Sequence, residues 1–248
     1  MSNVRTVSDT KRAFYTFHTR PIASIYRRVV EELMVEMHLL SVNVDFRYDP
    51  IYALGVVTAF DRFMEGYRPD RDKQSIFSAL CRAIGADGDH YRRDAEQLKA
   101  EAENLSRETL EKSIELPSEA PDTFLKSQIE AIAHGDTFKY SRLFTIGLYA
   151  VVEAVDLEFA KDAKSVSELL KKLGSTLNFS PEKLEKDLEV YRSNLEKLIQ
   201  TQAVLADIMK ADRKKREERA AQAQATESTE SESEEPAKPE QETQETEV

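Results

Sequence analysis

The sequence predicts an all-α fold: a single helical-bundle domain with a long projecting C-terminal helix and a disordered acidic tail. Three observations carry that reading. Apolar residues recur at steps of three and four along most of the chain, the spacing of one helix face. Seven Gly and eight Pro in 248 residues are too few for an all-β chain, which turns every few residues. Neither residue interrupts positions 182–226. The expected boundaries are a body over 1–179, a long helix over 180–223 that packs on the body and projects from it, and a tail over 224–248.

Taken in order, residues 1–7 are expected to fray, and Ser8-Asp9 to cap a short helix carrying Phe14 and Phe17. That helix must end before Thr19-Arg20-Pro21, because the residue preceding a proline avoids the α region. Pro21 suits the first turn of the next helix. There Ile22, Ile25, Val29, Leu33, Met37 and Leu40 form one face, and Val30, Met34, Leu39 and Val44 widen it enough to predict a helix enclosed by others. Asp49-Pro50 opens a second apolar helix with Ile51, Leu54, Val57, Phe60 and Met64, stopped by Gly66 and Pro69. These two helices, antiparallel across the Val42–Tyr48 loop, are the expected nucleus.

A third helix spans about Arg71–Ile84, with Ile76, Phe77, Leu80 and Ile84 inward. A fourth begins near His90 and carries the narrow seam Tyr91, Ala95, Leu98, Ala102 and Leu105, the pattern of an outer helix. Two prolines in Leu116–Pro121 force a loop. Phe124, Ile129 and Ile132 mark a helix closed by Gly135, and Leu143–Val155 one apolar enough to be central. Ser165-Val-Ser-Glu168 reads as a capping box opening a short helix that Gly174 stops. From Ser180-Pro181-Glu182 onward, Leu184, Leu188, Tyr191, Leu195, Leu198, Gln202, Leu205 and Met209 alternate steps of four and three, the heptad rule. About 40 helical residues would span roughly 60 Å.

The net charge of −11 is concentrated at the end of the chain, since residues 224–248 hold nine Glu against one Lys, or −8. That balance gives no support for nucleic acid as the main partner, since phosphate binding needs a basic face. Cys81 is the single cysteine, which excludes an intrachain disulfide and a thiolate cluster, and its helical neighbours predict burial. No signal peptide is recognisable, and the longest uncharged runs, 50–60 and 143–152, fall far short of the roughly 20 residues that span a bilayer.

No constellation of catalytic or metal-ligating residues stands out. Di-metal carboxylate bundles need Glu-x-x-His, which sets both ligands on one face. Here Glu36 and His38 are two residues apart, about 200° round a helix, while Glu130 and His134 stand alone. No H-E-x-x-H, G-x-S-x-G or phosphate-loop motif occurs. Neither a cofactor nor a catalytic residue is predicted, and a metal- or pigment-binding helical bundle is the alternative. Two charged features remain as candidate partner-binding surfaces. One is the strip Arg27, Arg28, Glu31, Glu32 and Glu36, whose i,i+4 pairs have the base N-terminal, the weaker order; Asp45, Arg47, Asp49 and Arg62 could join it. The other is a basic cluster on the last helix, Lys210, Arg213, Lys214, Lys215, Arg216 and Arg219. Asp212, Glu217 and Glu218 interrupt it, and no apolar side suits it to lie in a membrane surface, so a partner helix or acidic protein surface is at least as good a match. Self-pairing through Leu184–Met209 is a third possibility.

The blocks RTVSDTKRAFYTFHTRPIASIYRRVVEEL, EMHLLSVNVDFRYDPIYALGVVTAFDRFMEGY and IFSALCRAIGADGDHYRRDA, followed by SRLFTIGLYAVVE, YRSNLEKL and RKKREER, closely resemble the thylakoid formation protein family over about residues 5–220. The resemblance implies a non-enzymatic accessory role in thylakoid biogenesis and in photosystem II assembly and repair. It implies an FtsH-type membrane protease complex as partner, with photosystem II assembly intermediates beside it. It further implies a peripheral position on the cytoplasmic side of a cyanobacterial thylakoid membrane, the missing transit peptide setting it apart from chloroplast members. No catalytic or cofactor residue comes with the family.

Overall fold

The computed structural model describes residues 5–135 and 137–231; in the last helix the side chains of Leu205 and of 219–231 lie outside the description. The described residues contain eleven α-helices, one 3-10 turn and no strand. The chain divides into two units, residues 1–198 and 199–248.

In the first unit, α1 (Val7–Phe17) begins two residues earlier than the Ser8-Asp9 cap would place it. Thr6 is the cap, accepting from the Asp9 amide, and Asp9 returns the bond to Thr6, a reciprocal box. Residues 5 and 6 are therefore held rather than frayed, and Arg5 donates to the Ala83 carbonyl at 2.7 Å. Helix α2 (Ser24–Ser41) starts beyond Pro21, with Ala23 at its N-cap and no side-chain cap. Helix α3 (Pro50–Phe63) starts as expected, the Asp49 carboxylate accepting from the Tyr52 amide at 2.8 Å.

The nucleus is not α2 against α3. The main neighbour of α3 is α8 (Arg142–Val155), followed by α5 (Gly88–Ala102), and α2 touches α3 lightly. Two glycines explain this. A Cβ on Gly55 would lie 1.7 Å from the Leu143 carbonyl oxygen, and one on Gly147 1.8 Å from that of Ile51. The backbones of α3 and α8 thus meet directly, and Ile51, Leu54, Leu143 and Leu148 of the two helices are buried. Nothing in a 3.6-residue apolar period marks which partner a helix approaches this closely.

Helix α4 (Asp72–Ala83) packs on α1 and α5, with Cys81 fully buried. Two short helices escape the periodicity: α6 (Arg107–Glu115), capped by Ser106, and α9 (Leu157–Lys161), capped by Asp156. Between α6 and α7 (Phe124–Ala133) lies the expected break, a 3-10 turn over Pro117–Glu119. The Glu101 carboxylate of α5 accepts from the Phe124 and Leu125 amides at 2.6 and 3.0 Å, capping α7 from a neighbouring helix. Helix α10 (Ala163–Leu177) is capped by Asp162, which receives the amides of Lys164 and Ser165; Ser165 is its third residue, not its cap. It also runs past Gly174, ending at Asn178 with φ 56°. Gly174 makes room instead, since a Cβ there would sit 2.9 Å from the Pro181 ring at the corner into α11 (Pro181–Ser231). Leu184, Leu188, Tyr191 and Leu198 of α11 are buried in the first unit.

The second unit is the continuation of α11 from Ile199. Its described side chains include exposed Ile199, Val204, Ile208 and Met209, so the heptad seam is buried only as far as Leu198. The helix continues to Ser231, into the stretch read as acidic tail, and the remainder of that tail lies outside the described residues.

Candidate partner-binding surface

The strip on α2 divides into parts with different work. Glu31 ties α1 to α2: its carboxylate accepts from the Tyr15 hydroxyl at 2.8 Å and pairs with Lys11 at 3.0 Å. The Lys11 contact holds its carboxyl below the usual range. Glu36 ties α2 to α8 through Arg142, 2.6 Å away. Burial nevertheless pushes the Glu36 carboxyl up, with Arg142 opposing and Asp187 adding to the rise. These two acids serve the packing of the bundle. Arg27, Arg28 and Glu32 remain exposed; Arg28 pairs with Glu32 at 2.9 Å along the helix.

Arg47 and Asp49 of the loop do not join them. Arg47 donates to the Val44 and Phe46 carbonyls, and Asp49 is occupied as the α3 cap. Arg62 lies on another face, pairing with Glu153 at 2.5 Å and reaching the Tyr191 hydroxyl at 3.3 Å. Together with Asp61 and Arg92, joined by two bonds of 3.0 and 3.1 Å, it lines a cleft of about 640 Å³ between α3, α5 and α8. Neither His nor Cys lines that cleft.

What joins Arg28 and Glu32 is apolar. Val35, Leu39 and the C-cap residue Val42 are exposed, and the five positions 28, 32, 35, 39 and 42 step by four and three along one face of α2 and its C-terminal cap. The enclosure expected from Leu39 and Val44 is therefore not found, and Val44 is itself among the most exposed apolar residues. The signal was present in the sequence: Arg28 and Glu32 share the heptad face of Leu39, and two charges on a face argue against burying it.

On the second unit Lys214 lies 3.8 Å from Glu218 and Arg213 pairs with Glu217 at 2.7 Å. Lys215 and Arg216 are exposed, and the Arg219 side chain lies outside the described residues. Glu217 and Glu218, two of the acids that interrupt the basic run in sequence, thus temper its charge one helical turn away.

The four histidines serve local structure at separate places. His18 meets Ser75 at 3.0 Å and His38 meets Thr10 at 2.8 Å, both buried, and burial lowers the pKa of each. His90 stacks on Tyr48, and His134 bonds within its own helix end. Among the described residues no group of three or more His, Cys, Asp or Glu could hold a metal ion, and no helix is long and apolar enough to cross a membrane.

Fold and surface together define a class: an all-helical protein whose candidate functional feature is an exposed helix face, charged at one end and apolar at the other. The comparisons with known proteins place it further. The profile of the thylakoid formation protein family matches residues 6–220, and the chain belongs to that family. It is 58% identical over 217 residues to Protein Thf1 of Nostoc punctiforme, covering 87% of this chain and 92% of that protein. Protein Thf1 of Acaryochloris marina is 50% identical over 216 residues, covering 87% of each. A solved structure of Psb29 superposes with a TM-score of 0.74 at 44% identity, covering 86% of this chain and 98% of that one.

Proposed function

We propose that the chain is a non-enzymatic accessory factor of thylakoid biogenesis and of photosystem II assembly and repair. It acts as an adaptor or stabiliser of an FtsH-type membrane protease complex, with photosystem II assembly intermediates as further partners, from a peripheral position on the cytoplasmic face of the thylakoid. The observation that carries the docking part of this reading is the α2 face Arg28, Glu32, Val35, Leu39 and Val42. Three apolar anchors at i, i+4 and i+7 are the pattern by which one helix engages another or a groove. Arg27 and Arg28 at its charged end would set orientation and encounter rate.

Co-purification from solubilised thylakoids tests it. Reversing both arginines (Arg27→Glu, Arg28→Glu) together with Leu39→Ser is expected to cut FtsH recovery sharply while leaving the melting temperature nearly unchanged, because all three side chains lie outside the core. Undiminished recovery would refute the assignment of this face. Stoichiometric metal or a chromophore band in the purified protein would instead favour a metal- or pigment-binding bundle.

A further inference from the structure

Two exposed heptad faces occur in this chain, and they match. On α2 the face reads Arg28, Glu32, Val35, Leu39, Val42, with the three apolar residues 37, 57 and 37% exposed. On the distal part of α11 it reads Val204, Ile208, Ala211, Lys215, Glu218, with Val204 and Ile208 59 and 55% exposed. Run antiparallel, a register midway between paired sums of 246 and 247 sets Arg28 against Glu218, Glu32 against Lys215, Val35 against Ala211, Leu39 against Ile208 and Val42 against Val204, each within about half a residue of level. Every charge meets its opposite and every apolar residue meets another. A parallel alignment would set Arg28 against Val204 and Val42 against Glu218, placing charge on apolar surface at both ends. Among the described residues Lys215 makes no ion pair, and Glu218 approaches Lys214 only at 3.8 Å.

We propose that the α2 face of one copy of this protein is covered by the 204–218 segment of α11 from a second copy. The contact runs about 21 Å along α2, some four turns of helix. Given in both directions it closes a two-fold dimer, in which each contact occurs twice. It concerns the face assigned above to protease docking, so a copy and the protease would compete for it. It is tested on the purified protein alone, and either reading can fail without the other.

The full-length Leu39→Cys variant, carrying a size tag, is mixed with untagged Ile208→Cys and mildly oxidised. Cys81 can stay in place, because its buried thiol is pushed up to about 12 and does not compete. A mixed disulfide at the summed mass is the expected product; its absence overturns the proposal. Light scattering should return twice the 28.3 kDa of the single chain. Glu32→Lys should weaken the dimer by about fivefold for each of its two contacts, the upper end for one exposed pair, and adding Lys215→Glu should restore it. A monomer mass at tens of micromolar, or failure of the charge swap to rescue, overturns it equally.

Discussion

Replacing Gly147 by Ala tests the α3–α8 crossing on which the first unit is built. The new Cβ would stand 1.8 Å from the Ile51 carbonyl oxygen and 3.0 Å is about the closest real approach, so the two backbones must part by more than an ångström. No flexible side chain can yield, because both parties are backbone. A gap of that size forfeits a quarter to a half of each dispersion contact facing it, at about 0.1–0.2 kcal/mol per atom pair. For the fully buried or nearly fully buried Ile51, Leu54, Leu143 and Leu148, with some twenty facing contacts each, the loss is roughly 4 kcal/mol in all. Ala regains about 1 kcal/mol over Gly as a helix former. The net expectation is about 3 kcal/mol of destabilisation, which at ~2–4 °C per kcal/mol for a chain of this size lowers the melting temperature by roughly 10 °C. Thermal unfolding by circular dichroism reads it. Gly88→Ala is the control, because a Cβ there meets nothing nearer than 3.4 Å. A Gly147→Ala variant melting within a degree or two of the parent would refute the close crossing.

Arg142→Ala leaves the half-buried Glu36 carboxylate without its 2.6 Å partner and is expected to cost about 2–3 kcal/mol; urea unfolding at pH 8 measures it, and Glu36→Gln in the same chain should recover part of the loss. Burial raises the Asp49 carboxyl from 3.8 to about 7, against the amides of Tyr52 and Ile51 that favour its charge. Because the folded state holds that proton more tightly than the unfolded one, its contribution to stability falls as pH rises from about 4 to 7. An Asp49→Asn variant, which keeps a capping side chain, should lose that part of the pH dependence and gain on the parent above pH 7. The Cys81 thiol should resist aromatic disulfide reagents at pH 8 in native protein and react stoichiometrically in denaturant; fast native labelling would contradict its burial.

Much of the secondary structure was legible. Asp49-Pro50 and Gly135 mark real ends, because capping chemistry is local. The Leu184–Leu198 seam and the central apolar helix over 143–155 are where periodicity puts them. The misreadings share a cause. Pro21, Ser165 and Gly174 each carry a familiar local meaning, and each is overruled by a neighbour: the chain enters α2 three residues late, Asp162 takes the cap, and Gly174 makes room for Pro181. The candidate strip was legible as residues but not as a surface. Glu31 and Glu36 look like Glu32 in sequence, and only Lys11, Tyr15 and Arg142, from 16 to 106 positions away for the bonded Tyr15 and Arg142, distinguish them.

The sequence by itself determined the helical class, the family and the positions that must be apolar, since these rest on local periodicity and on long collinear blocks. Only the tertiary structure decided which helices pair. That choice depends on how near two backbones can come, and at Gly55 and Gly147 the absence of two methyl groups settles it. The same pairing leaves one side of α2 uncovered: with α3 drawn to α8 and α5, Val35, Leu39 and Val42 face outward beside Arg28 and Glu32.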